Sequence, residues 1–340
     1  MPFWAVAVVL VVLAAGVFAA ANRLGRDPAP DVRVSGAGPS GTPSPPTSSA
    51  SPSSHPKGPL VLHGAGDVSL DPSYISTYAS HGYGYAWSGM GGLFRRDDLT
   101  IVNLECAVSD LGTAVPKEFN FRGDPDALPV MHDAGVEVAN LGNNHSYDFG
   151  PDALLDTVRN VKRAGIAPVG AGATQDDALA PAAFDLQGWR VAVLGFDQVV
   201  DPYPEAVATD EKPGTAAGHD TGLMIDAIRA AAGDADIVVV MVHWGVELDT
   251  QPRAEQVDLG HRMVEAGADV ILGGHAHRLQ PMETYHGRPI FYSLGNFVWP
   301  DFSREGSTTA VAEVTVSPQG RFRGRLLPVF ITAPGHPQLG

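Results

Sequence analysis

The chain has 340 residues, of which 44% are hydrophobic and 18% charged, and its formal net charge is −16 with histidine neutral. This composition indicates a globular protein with a sizeable core and excludes a disordered chain. A single cysteine, Cys106, excludes an intramolecular disulfide and a four-thiolate zinc site, so a metal would be held by histidine and carboxylate. The acidic balance excludes an ordinary nucleic-acid surface, which needs clustered Lys and Arg.

Residues 1–22 predict a hydrophobic membrane anchor or signal segment. Residues 2–21 carry no charged or polar side chain, and about 20 apolar residues cross a bilayer as a helix. Residues 19–21 are all alanine and form a small-residue cleavage site, whereas the basic residues follow the apolar run instead of preceding it. A retained anchor and a cleaved signal therefore both stay open.

Residues 23–57 predict a disordered linker. From residue 35 to residue 57 the sequence is almost entirely Ser, Pro, Gly and Thr, a composition that has nothing to bury. Such a spacer suits a domain held off a membrane, so we expect the extracytoplasmic face of the cell membrane, or secretion if the segment is cleaved. The three arginines after the apolar run argue the other way, because basic residues favour the cytoplasmic side.

Residues 58–332 predict one α/β domain, with residues 333–340 as a tail. Val- and Ile-rich runs alternate with amphipathic helical patterns. The predicted strands are Leu60–Ala65, Leu99–Leu104, Val136–Leu141, Arg190–Gly195, Ile237–His243, Val270–Gly273 and Pro289–Tyr292, and the predicted helices are Pro151–Ala164, Thr221–Ala232 and Arg253–Ala266. After Ser307, alternating residues, a Ser-Pro-Gln-Gly turn and a second strand to Ile331 predict a closing antiparallel hairpin.

Potential metal ligands follow the carboxyl ends of five predicted strands. They are Asp67, Asn103, Glu105, Asn143, Asn144, His145, Asp148, His243, His275 and His277. Because sites in open α/β sheets form outside the carboxyl ends of the strands, we expect these side chains to converge. Two carboxylates, an amide oxygen and several imidazoles suit one or two divalent cations (Mn, Fe or Zn) better than calcium.

Each of these residues alone also has a structural interpretation. Asp67 can cap a turn, Glu105 can be a solvated loop residue, and His243 can be a buried, hydrogen-bonded imidazole. The Gly-Gly-His-Ala-His motif at residues 273–277 favours a metal, because a structural role needs neither the glycines nor both histidines. Cys106, beside Glu105, is a further candidate ligand or a small buried residue.

Six segments of the chain form a recognisable pattern by their residues, order and spacing. They are Gly66-Asp67-Val68-Ser69-Leu70, Asn103-Leu104-Glu105, and residues 140–150, 243–247, 267–277 and 292–297. They resemble those of the CapA family, bacterial capsule-biosynthesis proteins associated with poly-gamma-glutamate within the calcineurin-like metallophosphoesterase superfamily. The resemblance covers residues 60–298. It implies an α/β fold, a four-layer α-β-β-α sandwich with two metals at the strand ends, to which the pattern adds a C-terminal antiparallel hairpin.

The resemblance also implies roles by position. It implies that the metal ligands are Asp67, Glu105, Asn144, His243, His275 and His277. It implies that His145 protonates the leaving oxygen and that Asp148 orients this histidine. Glu105 stands where the superfamily usually has a bridging Asp, and Ser69 where it usually has a histidine. We therefore expect one metal to bind more weakly, or only one metal to stay bound.

Lys117 and Arg122 are candidates for the basic patch that an anionic substrate requires, with ordinary surface charge as the alternative. The leading functional hypothesis is an extracytoplasmic, metal-dependent, phosphoesterase-like hydrolase. It would act in synthesis, export or release of an anionic surface polymer, on the polymer or on a phosphorylated precursor. The alternative is a non-catalytic, metal-containing polymer-binding or assembly component of a capsule-synthesis membrane complex.

A dinucleotide-binding domain is a remote third hypothesis. The Gly-Ala-Gly-Ala sequence at residues 170–173 lacks the third glycine of the dinucleotide-binding motif.

Overall fold

The computed structural model describes residues 56–199 and 206–340. The predicted membrane or export segment and nearly all of the predicted linker lie outside the described residues. Among the residues that are described, no helix is both long and apolar enough to cross a membrane.

The strands and helices alternate along most of the domain. The strands are β1 (Leu60–Val68), β2 (Leu99–Leu104), β3 (Ala107–Val108), β4 (Arg122–Gly123), β5 (Val138–Asn140), β6 (Ala167–Val169), β7 (Ala171–Gly172), β8 (Ala182–Leu186), β9 (Trp189–Asp197), β10 (Gly214–Thr215), β11 (Ile237–His243), β12 (Val270–Gly274), β13 (Met282–Tyr285), β14 (Arg288–Phe291), β15 (Asn296–Val298), β16 (Thr308–Val316), β17 (Phe322–Ala333) and β18 (His336–Leu339). The α-helices are α1 (Tyr78–His81), α2 (Tyr85–Ser88), α3 (Ala127–Asp133), α4 (Gly150–Arg163), α5 (Gln175–Leu179), α6 (Thr221–Asp234), α7 (Ala254–Ala266) and α8 (Arg304–Ser307).

Most strands belong to two sheets. The first has the order β18-β17-β16-β1-β2-β5-β6, with β15 pairing with β1, and the second has the order β13-β14-β12-β11-β9-β8. The strands β1, β2, β5 and β6 run parallel, and so do β9, β11, β12 and β14. Each sheet therefore has a group of parallel strands whose carboxyl ends open at one edge.

The two sheets face each other across a buried apolar layer. Along β11, Ile237, Val239 and Met241 belong to the same cluster as Leu62 of β1 and Ile101 of β2. The alternate β11 residues at positions 238, 240 and 242 pack instead with α6 and α7, and β2 packs on its other face with α3 and α4. Such two-residue alternation is the geometry of a strand buried on both faces. The predicted four-layer α-β-β-α sandwich is confirmed.

The C-terminal hairpin is also confirmed, because β16 and β17 pair antiparallel from Val316 with Phe322 onward. The predicted tail at residues 333–340 is wrong. Strand β17 extends to Ala333, and β18 returns to pair with it. The strand is held by His336, whose ring stacks on Tyr85 at 3.8 Å and whose Nδ1 lies 2.8 Å from the carbonyl oxygen of that tyrosine.

Glu137 gives the fold a pH dependence. Its Oε2 accepts a 2.7 Å hydrogen bond from Thr100 N, and burial raises the pKa of its carboxyl from 4.5 to about 7. Between these two values the folded chain holds the proton more tightly than the unfolded chain does. The free energy of unfolding therefore falls as pH rises through this window.

We expect Glu137→Gln to remove this fall. In chelator-treated protein the variant should be more stable than the parent by about 1–3 kcal/mol at pH 8 and equally stable at pH 5. Urea unfolding at the two pH values measures the difference, with exposed Glu118→Gln as the control. A difference of the same size at both pH values would contradict the assignment.

Candidate metal centre

The predicted ligands converge at the carboxyl ends of strands from both sheets. Asp67 lies near the end of β1, Glu105 directly after β2 and Asn144 in the turn after β5. From the second sheet, His243 ends β11, and the other two histidines of the set follow β12. The first sheet therefore supplies the oxygen donors and the second sheet the imidazoles.

The side chains form two groups that could each hold a metal ion and that share one carboxylate. One group is Asp67, Glu105 and His277, and the other is Glu105, His243 and His275. Within each group one ligand atom per residue lies within 4.8 Å of the others. Glu105 thus has the position of a bridge, as the sequence resemblance implies.

Glu105 has a buried oxygen that lacks a hydrogen-bond donor. Its Oε1 is fully buried without a hydrogen bond, 3.5 Å from His243 Nε2 and 3.8 Å from His277 Nε2. Burial and the nearby charge of Asp67 raise the pKa of Glu105 well above its usual value. Because a buried carboxylate is costly without a positive partner, this oxygen and its imidazole neighbours fit a divalent cation.

The two histidines of the second group are held in the neutral form that binds metals. His275 Nδ1 lies 3.2 Å from His243 Nε2, and the ring centroids are 4.7 Å apart. Burial, followed by the proximity of the other histidines, lowers the pKa of His243 well below its usual value and that of His275 to about 4. Asn144 Oδ1, 2.9 Å from His243 Nε2, adds an amide oxygen to this group.

The third histidine is oriented by its neighbours. His277 Nδ1 lies 2.8 Å from Asn296 Oδ1 and 3.2 Å from Asp67 Oδ2. Burial alone would lower the pKa of His277, but the hydrogen bond and charge of Asp67 outweigh it and raise the pKa. A carbonyl-type acceptor at Nδ1 leaves Nε2 directed at the metal group.

The Gly-Gly-His-Ala-His motif has a steric reason. A Cβ atom on Gly274 would lie 2.6 Å from Asp67 Oδ1, and one on Gly273 would lie 2.1 Å from the carbonyl oxygen of Tyr292. The glycines thus permit close approach, while the turn itself falls on the histidines, with φ of 85° at His275 and 49° at His277. Such left-handed backbone in non-glycine residues is uncommon and concentrates at functional sites.

A histidine outside both groups lies beside them, paired with a carboxylate. His145 Nδ1 is 2.8 Å from Asp148 Oδ2, which also accepts a 2.7 Å hydrogen bond from Phe121 N. Lys117 Nζ donates to the other oxygen of Asp148 at 2.9 Å and to the carbonyl oxygen of Asn144 at 2.5 Å. Burial lowers the pKa of His145 despite the opposing effect of the hydrogen bond that its ring donates to Asp148.

Two clefts open onto this centre. One, of about 340 Å³, is lined by His277 and Trp299, and the other, of about 520 Å³, by Lys117 and His275. Both are lined by His145, so its ring stands where the clefts meet. A larger cavity of about 680 Å³ lies between α5, α6 and the edge of the second sheet and contains none of the predicted site residues.

The comparisons with known proteins identify the family. The family model described as "Bacterial capsule synthesis protein PGA_cap" matches residues 61–301. The chain belongs to this capsule-synthesis family.

Two relatives in the family are bacterial CapA proteins. The PGA biosynthesis protein CapA of Bacillus subtilis (strain 168) is 33% identical over 242 residues, which cover 70% of this chain and 63% of the relative. The capsule biosynthesis protein CapA of Bacillus anthracis is 32% identical over 247 residues, which cover 71% of this chain and 60% of the relative. The chain therefore spans less than two thirds of the length of these relatives.

Among solved structures, the NAD nucleotidase of Haemophilus influenzae has a similar fold. The TM-score is 0.51 at 14% sequence identity, over 81% of this chain and 51% of that one. At this identity the likeness concerns the fold alone. The PGA_cap chain thus shares its α-β-β-α sandwich with a solved nucleotidase.

Asn103 belongs to the strand-end set that the sequence predicts, but its individual role, which is to link residues of the centre, appears only in the structure. Its Nδ2 is 2.8 Å from Asp67 Oδ1 and 3.0 Å from His243 Nδ1, and its Oδ1 accepts a hydrogen bond from Asn140 at 2.9 Å. Asn103 therefore links a ligand from each sheet. The signal available was its place two residues before Glu105 at a strand end.

The predicted basic patch is only partly formed. Lys117 lies at the site, but Arg122 points away, over the Phe149 ring at 3.6 Å and toward carbonyl oxygens including that of Leu111 at 3.0 Å. A different arginine, Arg278, directly follows His277 in the sequence and lines the cleft that contains Trp299. No sequence pattern singled out Arg278 as a site residue.

Ser69 and Cys106 are buried but belong to neither metal group. Ser69 Oγ accepts a hydrogen bond from Asp71 N at 3.3 Å, and Cys106 Sγ accepts one from Leu70 N at 3.4 Å. Burial raises the pKa of the Cys106 thiol, and the residue packs within the hydrophobic core. The group of Asp67, Glu105 and His277 therefore has no fourth ligand from Ser69.

We expect this difference to appear as unequal metal affinity. Manganese titrated calorimetrically into chelator-stripped protein should bind as two equivalents, the second clearly weaker, because one group has an extra amide donor from Asn144 and the other lacks a second imidazole. Ser69→His should strengthen the weaker equivalent, whereas Ser73→His, outside both groups, should not. Two equally tight equivalents in the parent chain would contradict this expectation.

Proposed function

We propose that this chain is a metal-dependent, phosphoesterase-like hydrolase that acts outside the cytoplasmic membrane in synthesis, export or release of an anionic capsule polymer. The single observation that carries the proposal is the shared position of Glu105 between two potential metal groups, with the His145–Asp148 pair beside them. A merely structural metal site would not need a positioned proton donor.

The donor set fits divalent cations of the Mn, Fe or Zn type. Asp67, Glu105 and His277 would hold one cation, and Glu105, Asn144, His243 and His275 the other. The chemistry that such cations supply is Lewis-acid polarisation of a phosphoryl oxygen and activation of water. The protein supplies the rest of the reaction, which is binding, orientation and the proton for the leaving group.

His145 is placed to give that proton from Nε2, because Nδ1 is occupied by Asp148. The carboxylate of Asp148 orients the ring and stabilises its protonated form, and hydrogen bonds from Lys117 to Oδ1 and from Phe121 N to Oδ2 fix this carboxylate. Lys117 also holds the turn at Asn144 through its carbonyl oxygen. The ring and the metal groups are thus parts of one hydrogen-bonded assembly.

The proposed substrate is the anionic polymer or a phosphorylated precursor of it. Membership of the capsule-synthesis family supports a role in polymer synthesis. Cations bound by the metal groups, together with Lys117 and Arg278, would supply positive charge in a chain whose formal charge is −16. The apolar run at residues 2–21 and the Ser/Pro-rich stretch after it support an extracytoplasmic place, either tethered or released after cleavage.

A second candidate is a non-catalytic role as a metal-containing polymer-binding or assembly component of a membrane complex. The observation that favours it is Ser69, which leaves one metal group without a second imidazole. The pairing of His145 with Asp148 favours catalysis instead.

Phosphodiesterase activity separates the two. Chelator-stripped protein should hydrolyse bis(p-nitrophenyl) phosphate only after manganese is added, and Asp67→Ala should remove this activity. If bound metal is present and no phosphate ester is cleaved, the non-catalytic role replaces the proposed one.

A further inference from the structure

Exposed apolar side chains gather around the mouth of the metal clefts. Of the seven large apolar side chains that are exposed among the described residues, four line these clefts. Phe302 is 75% exposed, Leu248 60%, Phe119 57% and Val246 37%. They come from three loops, with Val246 and Leu248 in the same one, and an exposed apolar patch of this kind marks a binding surface. We call these four residues the apolar rim.

The apolar surface continues inward as a wall of aromatic rings. From Phe302, the ring of Tyr74 lies at 5.8 Å, and Tyr74 in turn is 4.5 Å from Phe121 and 5.5 Å from Trp299. The wall ends at the candidate metal centre. Phe121 packs against His145 with ring centroids 4.4 Å apart, and Trp299 stacks on His277 with centroids 4.8 Å apart. An apolar path therefore runs from solvent to the proposed proton donor.

The charges beside the apolar rim argue against a membrane surface as its occupant. Glu118, Glu247 and Asp301 are exposed and directly follow or precede rim residues. These carboxylates would repel an anionic bilayer. A protein partner seated on the rim would close the clefts to substrate. A single hydrocarbon chain avoids both conflicts, since it lies along the wall and leaves the acidic side chains in water.

We propose that the substrate of this site is a phosphate ester that carries a hydrocarbon chain, with the chain on the apolar rim and aromatic wall and the phosphoryl group at the metal end. This inference rests on the proposed function. In the reaction, the oxygen of water bonds to phosphorus and the P–O bond to the leaving group breaks. The leaving oxygen takes a proton from His145, and the proton lost by water restores the histidine. The rim's Val and Leu side chains offer no hydrogen bonds, which disfavours a sugar ring.

Binding of alkyl phosphates tests the proposal. Calorimetry on the manganese-loaded full chain should show at least about ten-fold tighter binding of octyl phosphate than of methyl phosphate, below the micelle concentration, because each buried methylene adds affinity. Phe302→Ser and Leu248→Ser should each weaken octyl phosphate about five-fold or more without changing methyl phosphate. Phe330→Ser, an exposed apolar residue of β17 outside both clefts, is the matched control.

The outcomes separate this inference from the proposed function. Equal affinity for the two phosphates, or equal losses for both in the rim variants, would overturn the hydrocarbon chain while phosphate binding and ester hydrolysis stand. Octyl phosphate binding that depends on the rim would support the chain subsite even if no ester were hydrolysed. The absence of ester hydrolysis would contradict the proposed hydrolase and not the chain subsite.

Discussion

Glu105→Gln is expected to abolish metal-dependent hydrolysis while the fold stays intact. The side chain belongs to both metal groups, so its carboxylate would be a ligand of both cations. Each histidine belongs to one group and would bind one cation. Since loss of a residue that merely supports a metal ligand costs about 10–100-fold in affinity or activity, loss of a shared ligand should cost at least about 100-fold in both. Metal analysis and phosphodiesterase assays measure the two effects.

The thermal stability of Glu105→Gln should change in the opposite direction to its activity, because the metal-free variant should be more stable than the parent. Burial and Asp67 raise the pKa of Glu105, so its charge opposes folding when no cation is bound. We expect Glu105→Gln to raise the thermal midpoint of the chelator-treated chain and to remove the increase that manganese gives the parent. The exposed Glu255→Gln on α7 should change neither property. Full metal stabilisation in Glu105→Gln would refute the bridging position.

His145→Ala is expected to slow hydrolysis without releasing metal. His145 lies in neither metal group, so manganese affinity should stay within about three-fold of the parent, whereas loss of a general acid costs about 10²–10⁴-fold in rate. The size of the loss should depend on the leaving group. It should be large for phenyl or alkyl leaving groups, which need a proton, and below about ten-fold for p-nitrophenolate, which leaves readily as an anion.

The leaving-group comparison distinguishes a proton donor from a residue that only shapes the site. His219→Ala, an exposed histidine, is the control for general effects of losing an imidazole. Asp148→Asn should give the same dependence on the leaving group as His145→Ala, but weaker, because it affects the ring only through its hydrogen bond. Equal rate losses with all leaving groups would exclude His145 as the proton donor.

The strands and the convergence of the site follow from local sequence patterns, whereas the four layers are implied by the family resemblance. Val- and Ile-rich strands such as Ile237–His243 appear in the structure with those same bounds. Polar residues at the ends of neighbouring parallel strands in one sheet must meet, and His243 and His275 do meet, with His275 Nδ1 3.2 Å from His243 Nε2. The common position of the two residues depends on topology and not on their separation in the chain.

Other features depend on contacts between residues that are distant in the sequence, and no local sequence pattern determines such contacts. Asn103 reaches His243 of the other sheet, 140 positions away, and only the packing of the two sheets determines that contact. Arg122 was a reasonable candidate for the site by sequence position, but the Phe149 ring and the loop carbonyls hold its guanidinium elsewhere. The predicted tail is a strand because β17 offers it an unpaired edge.

The most direct test of the central claim is anomalous diffraction from crystals of the manganese-loaded chain, collected above the manganese absorption edge. We predict two peaks that flank Glu105, one among Asp67 and His277 and the other among His243 and His275. A single peak in the second group would confirm the centre and assign the weaker group to the side that has Ser69. Peaks only at other positions, or none in fully loaded protein, would contradict the metal centre and the hydrolase that rests on it.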